Sequence, residues 1–368
     1  MLSKPPFSYL ETLNKVDDCI DINSDLAEAI LDAGLASVGL SPASQPDDTK
    51  VALPEWHNAA TKIDLDKARS TVHQMFRDWS AEGAVEREAC YGPVMQYLYE
   101  EFGLQRQNGE AIEVLVPGAG LGRLVFDLCR EGYLAEGNEI SYHQLLTSSF
   151  ILNHTSKADE WALHPFALSF SNQHNRADQL RKVTIPDVHP GGTVSAGGMG
   201  MTTGDFVTLY SDEENKSRFD AVATVFFIDT APNVLTYIDT IWCCLKPGGI
   251  WVNLGPLLWH FEEKQVGQSN GGDDEEGSSR DKADRTGYIG EAGSFEPSAD
   301  EVKLLVEQAG FIVEKYEMHS TTTGYVQNGR SMLRSMYEPC RWVARKPTPA
   351  PALQRSPDTP NIEVETVS

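Results

Sequence analysis

The sequence predicts an α/β protein, a doubly wound parallel sheet with a helical N-terminal extension. Three observations predict it. The apolar run Glu113-Val114-Leu115-Val116-Pro117 breaks into Gly118-Ala119-Gly120-Leu121-Gly122-Arg123. Glu139 closes the next apolar run, about 20 residues on. Open α/β sheets hold a nucleoside this way: the glycine turn lets backbone approach, and the carboxylate takes the ribose hydroxyls. Finally, an apolar strand from Phe219 ends in the acid Asp229 and is followed by a helical stretch and the strand Ile250-Trp251-Val252-Asn253-Leu254.

The elements follow in order. Residues 1–110 form a helical region. Leu10, Leu13, Val16, Ile20, Leu26, Ile30 and Leu31 give a helical period over about 8–40. Residues 41–54 are rich in Pro, Ser and Asp and read as a linker. Further helical patterns cover 65–79 and 89–102. The sheet domain spans 111–346. Its predicted order is strand 113–117, helix 121–131, strand 134–139, helix 141–153, then strand 219–229. Pro232 lies in the first turn of a helix running to 245. A turn at 246–249, strand 250–254, helix 302–309, strand 311–316 and a last strand near 341–343 complete it. Residues 164–204 hold Pro165, Pro186, Pro190 and a glycine-rich run and read as an insertion near the site. Residues 262–294 read as an acidic, flexible loop and 347–368 as a disordered tail. There is no internal repeat.

Length and composition narrow the function. The 368 residues suit one large domain or two small ones, and 40% hydrophobic content is enough for a sizeable core. A formal charge of -24 repels phosphates, which argues against nucleic acid or an anionic membrane as partner. It suits a cationic or zwitterionic small ligand, or simply solubility. The six cysteines show no CxxC spacing, so neither a metal site nor a disulfide framework is expected, and a reducing compartment is the default. Residues 1–6 lack an apolar signal core, and no run approaches the ~20 apolar residues of a spanning helix. The expectation is a cytoplasmic protein, with the nucleus as a second location.

At Gly118 two dinucleotide-type patterns compete. Oxidoreductases use G-x-G-x-x-G, the third glycine allowing close helix–strand packing. Here the glycines are Gly118, Gly120 and Gly122, and Arg123 holds the third dinucleotide place. Alternate glycines are the usual pattern of S-adenosylmethionine-dependent methyltransferases. On the turn alone, a methyl donor, another nucleotide and a structural tight turn all stay open. Asp220-Ala221-Val222 and Leu245-Lys246-Pro247-Gly248-Gly249-Ile250-Trp251-Val252 match the fourth-strand, helix, fifth-strand passage of the same superfamily. There the end of strand four faces the transferred methyl group, which singles out Phe227, Ile228 and Asp229. A helix N-cap is the structural alternative for Asp229.

A narrower resemblance is carried by segments that recur in order. They include Arg77-Asp78-Trp79-Ser80, Glu86-Arg87-Glu88-Ala89-Cys90-Tyr91, the Gly118 turn, Gly137-Asn138-Glu139, Ser169-Phe170-Ser171-Asn172 and Pro186-Asp187-Val188. Gly204-Asp205-Phe206, Phe226-Phe227-Ile228-Asp229-Thr230-Ala231 and Asn253-Leu254-Gly255-Pro256-Leu257-Leu258-Trp259-His260-Phe261 continue the series. Over about 65–346 the chain resembles the carnosine N-methyltransferase family. The resemblance implies a Rossmann-like methyltransferase sheet. It implies methyl transfer from S-adenosylmethionine to an imidazole nitrogen of a histidine-containing dipeptide, making anserine from carnosine. It places Arg87 on the cofactor's methionine carboxylate, Gly118 in the turn with Gly120 and Gly122, Glu139 on the ribose, Asp205 on the adenine amine and Phe206 beside the adenine ring. Asp229, His260 and Tyr337 would meet the substrate. Three positions depart from the family: Ala84 replaces a glutamine, Val225 a cysteine, and Ser335 the first of two tyrosines.

The chemistry asks for orientation more than for a base. An imidazole with a pKa of ~6.5 is largely neutral near pH 7. One ring nitrogen must carry the proton while the other points at the methyl. Asp229 is the candidate to accept from the N–H side, and His260 the candidate for a second orienting bond. Tyr337 either bonds the substrate or packs. Methylation of a peptide or protein histidine, and a non-catalytic fold that binds partners, are the alternatives; Arg123 disfavours an oxidoreductase. Trp242 and Trp251 read as core. The helical first hundred residues cap the site, build a homodimer, or both.

Overall fold

The computed structural model describes residues 2, 4–39, 59–192, 198–260, 262 and 295–349. The expected linker at 41–54, nearly all of the acidic loop and the tail beyond 349 lie outside the described residues.

The strands are β1 (Glu113–Pro117), β2 (Leu134–Glu139), β3 (Trp161–Leu163), β4 (Val183–Ile185), β5 (Met199–Thr203), β6 (Phe219–Val225), β7 (Leu245–Gly255), β8 (Ile312–Glu317) and β9 (Cys340–Arg345). Among the described residues the main sheet runs β5-β2-β1-β6-β7-β9-β8. Every neighbouring pair is parallel except the two that β9 makes. The chain winds outward one way from β1 and the other way from β6. A crevice therefore opens at the carboxyl ends of these two strands, where open α/β sheets bind ligands.

The helices are α1 (Tyr9–Ser37), α2 (Lys62–Trp79), α3 (Ala84–Gln107), α4 (Arg123–Arg130), α5 (Tyr142–His154), α6 (Arg176–Gln179), α7 (Phe206–Tyr210), α8 (Val234–Cys244) and α9 (Ala299–Gln308). Strand periodicity sends alternate side chains to opposite faces. Val114, Val116, Ile250 and Val252 pack on Val94 and Leu98 of α3 and Leu124 of α4. Leu115 and Trp251 face the other way, onto Ile238 and Ile241 of α8 and Val306 of α9. A third cluster joins Leu26 and Ile30 of α1, Met75, Phe76 and Trp79 of α2, and Phe150 and Ile151 of α5. α1 and α2 are thus packed on a helix of the sheet domain, and α3 on the sheet itself.

Three readings change. In α1 the buried residues are Val16, Cys19, Leu26 and Ile30, whereas Leu10, Leu13, Ile20 and Leu31 are exposed. The inner face is set by a clamp: Asn23 Nδ2 donates to His164 O, and His164 N donates to Asn23 Oδ1. The stretch 164–204 is not wholly an insertion, because β5 within it pairs with β2 and forms the sheet's edge. Its Met-Gly-Met-Thr-Thr sequence is only half-covered and so lacks a core strand's apolar signature. Pro232 lies outside α8, whose N-cap is Asn233, with Oδ1 accepting from Leu235 N at 3.0 Å. Asp229 is therefore not that helix's cap. It belongs to a short 3-10 turn, Ile228–Thr230, beyond the end of β6.

Candidate active site

The turn after β1 is built for close approach. Gly118, Gly120 and Gly122 have φ of 66°, 57° and 74°. At Gly118 a Cβ would stand 2.5 Å from the Phe227 ring, so steric room and backbone sign both call for glycine. Glu139, at the end of β2, reaches across to the turn. Its Oε2 accepts from Gly120 N, and its Oε1 accepts from Ile140 N and Ser141 N, each at 2.9 Å. A carboxylate offers about four acceptor positions. Three are taken, so one remains for a ribose hydroxyl. Burial pushes the Glu139 carboxyl above its ordinary range, against the three backbone bonds that favour its charge.

The corner between α2 and α3 is stapled over this turn. Trp79 Nε1 donates to Leu121 O at 3.1 Å, and Arg123 Nη1 donates to Asp78 O at 2.9 Å. Arg87 is buried beside them. Its Nη1 donates to Arg77 O and Ser80 O, and its Nη2 pairs with Asp187 Oδ2 at 2.6 Å. Three of its five N–H bonds are used, which leaves two donors for a ligand carboxylate. Burial, then the charge of Arg123, holds the Arg87 guanidinium below its ordinary range. Arg123, read from the sequence only as a replaced glycine, is a buried clamp. It also meets Asp127 at 3.0 Å and Asp187 Oδ1 at 2.6 Å.

On the other side of the crevice Asp205 caps α7, with Oδ1 accepting from Thr208 N at 2.8 Å. This leaves Oδ2 for an exocyclic amine. Phe206 is only 3% exposed. Its ring makes edge contacts with Phe227 and Tyr237, with centroids 5.5 and 5.4 Å apart. The ring therefore faces the core. Phe227 stacks on Tyr237 at 4.8 Å and lies against Gly118, tying the two sides together.

The acceptor side begins at Phe226, a non-glycine residue at φ 53° immediately after β6. Such a backbone costs an L-residue about 1–2 kcal/mol. It is held by Phe226 N donating to Leu254 O and by ring contacts with Tyr325 at 5.1 Å and Tyr337 at 5.7 Å. Asp229 is 4% exposed. Its Oδ2 accepts from Leu258 N at 3.0 Å, and its main-chain oxygen accepts from His260 N at 3.1 Å. Those two bonds bring His260, exposed at the rim, to Asp229 from 31 residues further along the chain. Burial pushes the Asp229 carboxyl up; the Leu258 bond and His260 oppose this more weakly. Tyr337 is brought in by a two-way backbone bridge with Thr323. Glu86 holds the same segment, accepting from Val326 N and Gln327 N at 2.8 and 2.6 Å.

Every site residue named from the sequence thus lies around this crevice or in the layer supporting it. Reading the sequence gave no role to Asp187, Trp79, Phe226 or Tyr325. The signal for the first three was present, since their segments recur in the family resemblance. Tyr325 had none. Of the departures, Ala84 is exposed at the start of α3, Val225 ends β6, and Ser335 borders a neighbouring cleft.

The glycine turn offers its ligand one stretch of open backbone, a buried carboxylate with one acceptor position left, and an arginine with two donors left. These fit a zwitterionic nucleoside. On a parallel sheet with β9 reversed, they define the class: a Rossmann-like, S-adenosylmethionine-dependent methyltransferase. A model of the family "Carnosine N-methyltransferase" matches residues 54–348, and the chain belongs to that family. Carnosine N-methyltransferase of Rattus norvegicus is 37% identical over 335 residues, spanning 91% of this chain and 75% of the relative. That of Schizosaccharomyces pombe is 38% identical over 340 residues, spanning 92% and 83%. A solved methyltransferase structure from Methanosarcina mazei is 14% identical, covers 65% of this chain and 94% of that one, and gives a TM-score of 0.39, too loose a likeness to carry argument. The chain is an enzyme whose methyl donor is S-adenosylmethionine.

Proposed function

We propose that this enzyme methylates an imidazole nitrogen of carnosine, giving anserine, or of a related histidine-containing dipeptide. The observation that carries the reading is Asp229, a buried carboxylate at the carboxyl end of β6 with one oxygen fixed by Leu258 N and the other left for a ligand. The cofactor supplies an electrophilic methyl group. Asp229 accepts the N–H of the imidazole, which fixes the tautomer and turns the lone pair of the other nitrogen toward the donor. As that nitrogen gains its methyl, the ring becomes cationic, and Asp229 holds the N–H proton against a charge it stabilises. His260 supports the ring's orientation from the rim, and Tyr337 closes the acceptor side. Arg87 takes the cofactor's carboxylate, Glu139 its ribose and Asp205 its adenine amine; the backbone at Phe206 flanks the adenine.

A second reading, methylation of a peptide histidine, is favoured by one observation. Ser335 borders a cleft of about 390 Å³, which Arg69, His73, Asn172 and Gln327 also line. The charge of -24 supports a small substrate over nucleic acid or an anionic membrane, and free cysteines among the described residues suit the cytoplasm, with the nucleus as a second location. The exposed leucines of α1 support a homodimer. The test is incubation with labelled S-adenosylmethionine and carnosine, histidine or a longer histidine peptide. Label in carnosine at the highest kcat/KM is expected. A clear preference for the longer peptide favours the second reading, and no label in any acceptor despite cofactor binding refutes both.

A further inference from the structure

Asp187 joins two arginines that come from different helices. Its Oδ2 meets Arg87 Nη2 and its Oδ1 meets Arg123 Nη1, both at 2.6 Å. The two arginine side chains are 7% exposed and the Asp187 side chain 14%. Asp187 is itself fixed, because its backbone N donates to Trp79 O at 2.7 Å. Arg123 is anchored independently by Asp127 and by Asp78 O, at the first position of the helix that follows the glycine turn. One arm of the bridge is therefore rigid, and the carboxylate transmits that rigidity to Arg87.

We propose that Asp187 is a positioning residue that aims the Arg87 guanidinium at the carboxylate of S-adenosylmethionine. The proposal rests on the reading that Arg87 meets that carboxylate. A guanidinium is planar, so its direction is set once a few of its N–H bonds are fixed. Arg77 O and Ser80 O hold Nη1, and Asp187 holds one side of Nη2. The two remaining donors, on Nε and Nη2, belong to a side chain only 7% exposed. Asp187 already engages Arg87 through Oδ2 and Arg123 through Oδ1. Without its charge, Arg87 and Arg123 face each other as like charges in a poorly screened place, and the more weakly held Arg87 turns away.

The experiment measures binding of S-adenosylmethionine and of its decarboxylated analogue to the full chain by calorimetry, in the parent protein, Arg87→Met and Asp187→Asn. The parent should prefer the carboxylated ligand by about tenfold or more, the worth of a charge-assisted bond. Asp187→Asn should lose most of that preference while binding the analogue within about twofold of the parent. Equal weakening of both ligands, or an unchanged preference, overturns the proposal and leaves Asp187 a structural brace. If Arg87→Met keeps the preference, the reading of Arg87 fails and the proposal with it. If Arg87→Met loses it and Asp187→Asn does not, the reading stands and only the positioning role fails. Should Asp187→Asn not fold, Asp187→Glu keeps the charge but displaces it by one methylene. The preference should then fall, and an unchanged one overturns the proposal.

Discussion

Replacing Glu139 with glutamine tests whether one carboxylate both pins the glycine turn and serves the cofactor. The side chain is 8% exposed and accepts three backbone N–H bonds of 2.9 Å. Glutamine has one acceptor oxygen. In the amide orientation that keeps two of the three bonds, the new NH2 group opposes Gly120 N–H. One backbone donor in the turn is then left unpaired, which costs about 1–3 kcal/mol. The two surviving bonds change from charged to neutral and lose about half their strength. Relief of the buried charge offsets part of this, since burial already pushes the Glu139 carboxyl upward. The net expectation is about 1–3 kcal/mol of lost stability, or a melting temperature lower by about 2–4 °C for each kcal/mol. S-adenosylmethionine affinity should fall by about tenfold or more, because the position left for the ribose becomes an N–H donor and the turn is no longer held. Thermal melts with and without cofactor, together with calorimetric titration, read both effects. A variant that melts and binds as the parent does would refute the reasoning.

Two further perturbations follow. Gly118→Ala puts a methyl group 2.5 Å from the Phe227 ring at a φ of 66°, so cofactor affinity should fall at least about tenfold in a titration; normal affinity would show that the turn has more slack than its geometry allows. Asp229→Asn keeps an acceptor for Leu258 N but loses the charge facing the imidazole, so it should bind cofactor normally and turn over about a hundredfold more slowly in a labelled-methyl assay. Because burial raises the Asp229 carboxyl above its ordinary value of 3.8, its contribution to stability is present below that value and is lost as pH rises through the folded one. Melts of the two proteins from about pH 4 upward should therefore show the asparagine variant gaining on the parent; a constant difference would contradict the burial.

The sequence by itself determined the parts whose physics is local. β1, the glycine turn and β2 were legible because an apolar run, a positive φ and a terminal acid each leave their mark within a few residues. The family resemblance added the acceptor-side residues and the reaction. Only the tertiary structure decided how those residues are held. β5 joins the sheet although its sequence lacks a core strand's pattern, because backbone pairing with β2 holds this half-covered edge strand, not an apolar period. Asn233, not Asp229, caps α8, and this leaves Asp229 to bond the main chain at Leu258. Phe206 turns its ring into the core because Phe227 and Tyr237 are there to receive it. Asp187 lies 100 residues from Arg87 and 64 from Arg123, and no spacing in the sequence could pair them. Hydrogen bonds and burial between distant segments make that site, and those come into being only when the sheet has folded.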